Sequence, residues 1–252
     1  MCILCRPAIP VLPTFQLTWV MTVRGMIFDI DGTLVDTNPA HVEAWRGAFK
    51  RLGYDIPTER IVIEIGKGGD MLVPSILGQE GETRHGEALR KAQKEEFREI
   101  AERVHFRVFP CVPELFRALR ERGIKTALAT SSDKKHLQTT MKSAGFDLTS
   151  LADVMVTKDD AEASKPAPDL VIVAWERLAM APTECAMVGD TVYDGQASQA
   201  AGVVFLAVLT GCSSASELLE AGACGVWRDT GHLYADLDRA LGIASLAAAA
   251  SE

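Results

Sequence analysis

The sequence has few of the features that assign a protein to a special class by composition alone. Its six cysteines are scattered without paired long-range spacing, so a disulfide framework is not expected. Cys2 and Cys5 form a single C-x-x-C pair, which lacks the second pair or the nearby histidines that a zinc site needs. Neither a disulfide scaffold nor a structural zinc module is therefore predicted.

An excess of basic charge and long apolar runs are also missing. Lys and Arg total 26 against 34 Asp and Glu, and the net charge is −8. Such a balance argues against a nucleic-acid partner, because phosphate backbones attract basic surfaces. No uninterrupted apolar stretch reaches the roughly 20 residues that a membrane span requires. We therefore expect a soluble, cytoplasmic protein with no membrane partner.

The sequence does have enough apolar residues for a sizeable core. It contains 252 residues, 48% of them apolar and 24% charged, which excludes disorder over most of the chain. Residues 1–22 differ, because three prolines break their apolar run and Arg6 is their single basic residue, unlike a signal peptide. They are predicted to be a disordered extension, or to precede a true start at Met21 or Met26.

Hydrophobic periodicity predicts an α/β protein. A short buried strand at 25–28 precedes a helical stretch at 37–107, and strands and helices then alternate from residue 108. Such alternation predicts a Rossmann-like parallel sheet with helices on both faces. We expect a core formed by 23–36 and 108–243, an inserted helical unit at 37–107, and a frayed tail at 244–252.

Four acidic residues follow two of the predicted strands. Asp29 and Asp31 follow the first strand, and Asp190 and Asp194 follow a later one. Ligands of parallel sheets bind at the carboxyl ends of the strands, and hard divalent cations prefer carboxylate oxygens. A cation site is one interpretation; a D-x-D sequence by itself also fits a capped turn.

Two further residues lie where they can bind an anion. Lys165 is preceded by a serine and closely followed by two prolines, which fix the backbone of this loop. Its ammonium can neutralise carboxylates or a phosphoryl oxygen. Thr130 ends a predicted strand, where its hydroxyl lies beside the first N–H groups of a helix, together with Ser131. A solvated lysine and an ordinary helix cap are the alternative interpretations.

These elements together resemble the haloacid dehalogenase superfamily. The matching motifs are D-x-D-G-T at 29–33, the threonine at 130, S-K-P-A-P-D at 164–169 and G-D-x-x-x-D at 189–194. Their order and spacing agree with that family over about residues 23–240. The resemblance implies a Rossmann-like core with an inserted helical cap at 37–107.

The resemblance also implies catalytic roles. Asp29 is the expected nucleophile, which forms an aspartyl-phosphate, and Asp31 is the expected general acid and base. Thr130 and Lys165 are expected to hold the transferring phosphoryl group. An aspartate at position 31 favours cleavage of a C–O–P bond over dehalogenation or phosphonate cleavage.

A magnesium ion is the implied cofactor. Its expected ligands are Asp29, the backbone carbonyl of Asp31, Asp190 and Asp194, the last directly or through water. Thr33 is expected to orient the loop that carries the first two of these residues.

The inserted unit supplies candidate substrate contacts. Its position resembles the α-helical cap of subfamily I, and Lys67 among three glycines can reach a bound substrate. Thr37 and His41 resemble residues that assist the acid/base aspartate in the β-phosphoglucomutase-like branch. That branch carries an arginine in the cap loop, where this sequence has none.

Three functions are consistent with these residues. The leading prediction is a Mg²⁺-dependent phosphatase for a small phosphorylated metabolite, with sugar phosphates, phosphoglycolate and nucleotides all open. The second is a β-phosphoglucomutase-like phosphotransferase. The third, a signalling module phosphorylated on aspartate, is usually about half this length and has no helical insert. Monomer and dimer are both open.

Overall fold

A parallel β-sheet forms the centre of the molecule. The computed structural model describes residues 23–250; the predicted extension at 1–22, with its Cys2–Cys5 pair, lies outside the described residues. Six strands pair in the order β3-β2-β1-β4-β5-β6, and all of them are parallel. The strands are β1 Gly25–Phe28, β2 Lys125–Ala129, β3 Val154–Val156, β4 Cys185–Gly189, β5 Val204–Val208 and β6 Ala223–Trp227. The predicted fold class is confirmed, although β6 was not recognised in the sequence.

Helices cover both faces of this sheet because side chains of a strand alternate between faces. Met26 and Phe28 of β1 belong to one hydrophobic cluster, and Ile27 between them belongs to the other. The first cluster takes residues from α4, α5, α9 and α10, and the second from α6 and α7. These helices are α4 Val112–Glu121, α5 Lys134–Ala144, α6 Asp169–Arg177, α7 Val192–Ala200, α9 Thr230–Ala235 and α10 Leu237–Ala249. The remaining core helix, α8 Ala215–Glu220, packs in a smaller cluster with β5 and β6.

The end of the chain corrects one prediction. Residues 244–252 were expected to form a frayed tail, but α10 continues to Ala249. Ala244 and Ala248 are buried in the same cluster as the main core, because alanines four residues apart lie on one helix face. The core therefore extends past residue 243.

Three helices form the inserted unit, which lies between β1 and α4. They are α1 Asn38–Arg51, α2 Thr58–Val62 and α3 Gly69–Arg103, and α3 has a kink at Gly78, whose φ is 71°. Their upper parts enclose a separate hydrophobic cluster around Trp45, Phe49 and Leu89. The base of α3, at Phe97 and Ile100, packs into the main core cluster instead. The cap thus has its own small core and a base continuous with the sheet domain.

The cap also touches the core loops at the sheet edge. The hydroxyl of Tyr193 donates to the carbonyl of Ile63 at 2.5 Å, and the backbone N–H of Ser164 donates to Asp70 at 3.1 Å. We call residues 66–70 the cap loop. None of the helices within residues 23–250 is both long and apolar enough to cross a membrane. The four cysteines of this region are free thiols.

Candidate active site

The carboxyl edge of the sheet gathers the polar residues that the sequence singled out. Asp29 directly follows β1, Thr130 follows β2 and Asp190 follows β4. Since β1 pairs with both β2 and β4, these three residues end adjacent strands. Successive strands are added in opposite directions on the two sides of the boundary between β1 and β4. Open α/β sheets bind their ligands at such a switch point.

Lys165 is fully enclosed in this edge, with 1% of its surface exposed. Its ammonium contacts Asp29 Oδ1 and donates to Asp194 Oδ1 at 2.8 Å. Burial alone would lower the pKa of Lys165, but the charges of Asp194 and Asp29 outweigh it and raise that pKa above its usual value. The lysine is therefore a permanent cation between two carboxylates.

Three buried carboxylates fit a divalent cation. Asp29, Asp190 and Asp194, here called the carboxylate cluster, each offer an oxygen within 4.8 Å of the others. Burial raises the pKa of Asp29 well above its usual value, against the charge of Lys165. Burial, followed by the charge of Asp194, raises the pKa of Asp190 to about 7. Three carboxylates against one lysine leave buried negative charge uncompensated, and oxygen donors suit Mg²⁺.

Two of these carboxylates are held by further side chains. Thr33 Oγ1 donates to Asp190 Oδ1 at 2.8 Å, and Asn38 Nδ2 donates to Asp190 Oδ2 at 2.9 Å. Asp194 Oδ2 accepts from the hydroxyl of Thr191 at 2.6 Å, while its other oxygen binds the lysine. Asp194 therefore also holds Lys165 in place, through the oxygen that does not bind Thr191.

Asp31 lies among a different set of partners. Its Oδ1 accepts from Thr37 at 2.9 Å, and its Oδ2 accepts from Thr130 at 3.2 Å and from Ser132 at 3.0 Å. His41 Nε2 lies 3.3 Å from Oδ1. Burial alone would raise the pKa of Asp31, but the polar contact with His41 and its charge outweigh burial and hold that pKa well below its usual range. The two aspartates of the D-x-D motif therefore have different partners, and their pKa values are shifted in opposite directions.

Aromatic rings pack against the side chain of His41. His41 and His136 are stacked with ring centroids 5.1 Å apart, and Phe97 lies 4.0 Å from His136. Burial is the main cause that lowers the pKa of His136 to about 3, and the charge of His41 acts in the same direction. His136 is therefore neutral at ordinary pH.

A cavity of about 280 Å³ opens above both aspartates and below the cap. Ser131 lines it, and its hydroxyl is buried without a hydrogen-bond partner. Lys67 also lines it, but its ammonium contacts Glu64 and donates to Ser75 at 3.2 Å. Of the predicted substrate residues, Ser131 thus has a free polar atom, whereas Lys67 is already paired within the protein.

Sequence reasoning missed three residues of this site. The amide of Asn38, the first residue of α1, binds Asp190, which the sequence did not predict. Neither Ser132 nor His136 was predicted to be a site residue, although Ser132 binds Asp31 and His136 packs on His41. The S-S-D run after Thr130 was a usable signal for Ser132, whereas Asn38 and Asp190 lie 152 residues apart and share no local pattern.

The sheet, the cluster at its edge and the helical unit above it define a capped α/β enzyme. Residues 26–208 match the family model of haloacid dehalogenase-like hydrolases, so the chain belongs to this family, as the motifs predicted. A phosphoglycolate phosphatase from Nitrosospira multiformis is 31% identical over 204 residues, covering 79% of this chain and 89% of the relative.

Solved structures agree with this assignment. A hydrolase from Pseudomonas syringae superposes with a TM-score of 0.79 at 27% identity, covering 85% of this chain and 98% of the other. A β-phosphoglucomutase from Clostridium difficile superposes with a TM-score of 0.72 at 18% identity, covering 87% and 96%, and this likeness shows the fold alone.

Proposed function

We propose that the protein is a Mg²⁺-dependent phosphatase that hydrolyses a small phosphomonoester through an aspartyl-phosphate on Asp29. One observation carries the proposal: Asp29 joins Lys165 and two more carboxylates on one side of the cavity, while Asp31 occupies a separate hydrogen-bonded position beside it. A nucleophile beside a cation and a distinct acid/base group are what stepwise phosphoryl transfer requires. The relatives named as phosphatases support the same reaction class.

In the first step, a carboxylate oxygen of Asp29 attacks phosphorus and the bond from phosphorus to the ester oxygen breaks. Asp31 delivers a proton to that leaving oxygen, so the alcohol departs neutral. In the free protein Asp31 is held ionised, so it must take up a proton before it can act as the acid; His41 Nε2 lies 3.3 Å from its Oδ1. Lys165 and Thr130 stabilise the charge on the transferring group.

In the second step, Asp31 takes a proton from water and the water oxygen attacks the phosphorus of the aspartyl-phosphate. The bond from phosphorus to the Asp29 oxygen breaks, which releases inorganic phosphate and restores the Asp29 carboxylate. Asp31 is a carboxylate once it has protonated the leaving oxygen, so it can accept this proton. The carboxylate cluster would hold Mg²⁺ with the backbone carbonyl of Asp31. When bound, the ion neutralises charge on the phosphoryl oxygens. The cap excludes bulk water while the intermediate exists.

The central test is substitution of the nucleophile. Asp29→Asn should lose at least about 10⁴-fold in turnover of p-nitrophenyl phosphate, because an amide does not form the acyl-phosphate. Asp55→Asn, an exposed position on the cap, is the matched control and should keep wild-type turnover. Chelation of Mg²⁺ with EDTA should stop the wild type. Retained turnover in Asp29→Asn, or full activity with EDTA, would contradict the proposal.

The fate of the aspartyl-phosphate distinguishes the phosphotransferase alternative from the phosphatase. The contacts of Thr37 and His41 with Asp31 are of the kind that the mutase-like resemblance implied. In a mutase, the phosphorylated enzyme should persist until a sugar monophosphate discharges it; in a phosphatase, it should hydrolyse within one turnover. Rapid-quench measurement of phosphoenzyme with and without glucose 6-phosphate distinguishes the two. A signalling module would release no phosphate from any monoester.

A further inference from the structure

We propose that the alcohol released from the substrate is small, polar and uncharged, such as a polyol or a sugar, and does not carry a second anionic group. This inference rests on the proposed phosphatase activity and specifies its substrate class. It follows from the charges of the residues that line the cavity. We call these residues the cavity wall; the carboxylate cluster and Lys165 are not part of it. Among the described residues of that wall, each lysine and arginine is already paired with a carboxylate of the protein.

Two of these pairs lie within the cap. Lys67 contacts Glu64, whose side chain is only 4% exposed and also lies 3.4 Å from Arg60. Arg90 donates to both carboxylate oxygens of Glu82, at 2.8 and 2.9 Å. A substrate carboxylate or second phosphate would have to take these cations from their partners. That exchange would leave a partly or wholly buried carboxylate without a counterion, which is costly.

The other two pairs connect the cap with the core. Lys94 of α3 contacts Asp133 at the start of α5, at 2.5 Å, and Lys158 lies 3.4 Å from Asp70 of the cap loop. A second anion that attracted either lysine would compete with a contact that holds the cap against the core. Recruiting these cations would therefore act against closure over the reacting phosphoryl group.

Neutral polar groups remain available on the same wall. Ser131 Oγ and His136 Nε2 are buried without hydrogen-bond partners, and Gln93 and Trp45 also line the cavity. His136 is 8% exposed and neutral, so it offers a hydrogen bond without charge. A hydroxylated leaving group can satisfy such atoms, and unpaired buried polar atoms discriminate strongly between ligands. The volume of about 280 Å³ lies at the small end of ligand sites and suits a leaving group of few carbons.

The experiment compares phosphomonoesters that differ in one functional group. Glycerol 3-phosphate and 3-phosphoglycerate share a three-carbon backbone, and 2-hydroxyethyl phosphate and phosphoglycolate share a two-carbon one; the second member of each pair has a carboxylate in place of CH₂OH. With the full-length protein and Mg²⁺, kcat/KM for the neutral member should exceed that for the acidic member by at least about tenfold in both pairs, or about 1.4 kcal/mol. Equal values, or a preference for the acidic members, would overturn the inference.

A variant tests the origin of this preference. Glu82→Gln removes the carboxylate partner of Arg90. The ratio of kcat/KM for the neutral substrate to kcat/KM for the acidic substrate should then fall by about fivefold, because the freed guanidinium attracts a substrate carboxylate. Glu80→Gln makes the same charge change in an exposed pair with Arg84 and should leave the ratio unchanged. An unchanged ratio in Glu82→Gln contradicts the role of this pair. The wild-type comparison stands even if that variant folds poorly.

The experimental outcomes distinguish a wrong substrate inference from a wrong phosphatase assignment. If the protein releases phosphate from p-nitrophenyl phosphate and prefers acidic leaving groups, the phosphatase assignment stands and the neutral-substrate inference falls. If no monoester is hydrolysed in the presence of Mg²⁺, the phosphatase assignment falls and the substrate inference falls with it.

Discussion

A single lysine balances the carboxylate cluster at the centre of the site. Lys165 contacts Asp29 and Asp194, and all three side chains are buried. Buried charges of one sign are tolerated only with a counterion, and the protein supplies this one. Lys165 therefore has a structural role in addition to its role toward the phosphoryl group.

We predict that Lys165→Met destabilises the metal-free protein by about 3 to 5 kcal/mol, because it leaves three buried carboxylates without a protein cation. Mg²⁺ should restore part of this loss. Urea unfolding in EDTA and in Mg²⁺ measures both effects. Lys142→Met, at an exposed position of α5, should change stability by less than about 0.5 kcal/mol. Equal stability of Lys165→Met and the wild type in EDTA would contradict this account.

The buried ring of His136 makes the folded state sensitive to acid. Its folded pKa of about 3 lies below its usual 6.5, so the unfolded state binds a proton first as pH falls. Stability should therefore decline from about pH 6.5 toward pH 3, and this histidine accounts for about 2 kcal/mol of the loss at pH 5. The groups whose charges act on it are His41, Asp31, Asp133 and Lys94.

The variant His136→Gln tests this assignment. The difference in unfolding free energy between pH 7 and pH 5 should shrink by about 2 kcal/mol relative to the wild type. His105→Gln, at an exposed histidine, should keep the wild-type difference. Urea titrations at the two pH values supply the comparison, and identical pH dependence in His136→Gln and the wild type would show that another group is responsible.

At the scale of elements, the cap loop fits closely against the loop that carries Lys165. A Cβ atom at Gly68 would lie 2.2 Å from Ser164 Oγ and 2.4 Å from its Cβ. Ser164 is itself buried and donates its backbone N–H to Asp70. Glycine at 68 thus permits the cap to dock directly over the reaction centre.

We predict that Gly68→Ala lowers kcat/KM by about 10- to 100-fold without unfolding the protein, because the added methyl group holds the cap away from the core. The double variant Gly68→Ala with Ser164→Gly should recover part of that loss, since it removes the two Ser164 atoms and leaves only Asp70 Oδ1, at 2.6 Å, of the three nearest atoms. Gly242→Ala, in α10 with open space around it, is the control for a simple glycine effect. Failure of the double variant to recover activity would contradict steric docking.

At the scale of the whole molecule, the site residues discussed above all lie within residues 23–250. We predict that a protein starting at Met21 retains turnover within about twofold of the full chain. Steady-state assays and thermal unfolding of the two forms test this. A large loss of turnover at equal thermal stability would mean that residues 1–20 contribute to the reaction.

The fold class, and the polar residues that follow three adjacent strands at the sheet edge, could be predicted from the sequence. Asp29, Thr130 and Asp190 could be placed because parallel strands alternate with helices and present their carboxyl ends at one edge. Local periodicity also predicted the helical segment at 37–107, since its apolar residues repeat with helical spacing.

The tertiary structure alone decided which side chains are partners. The bond from Asn38 to Asp190, the pairing of Lys67 with Glu64, and the packing of His136 on His41 depend on how the cap seats on the core. A polar side chain at a helix start or in a glycine loop has several possible partners at the level of sequence. Burial and packing select one of them, because a buried polar group without a partner is costly.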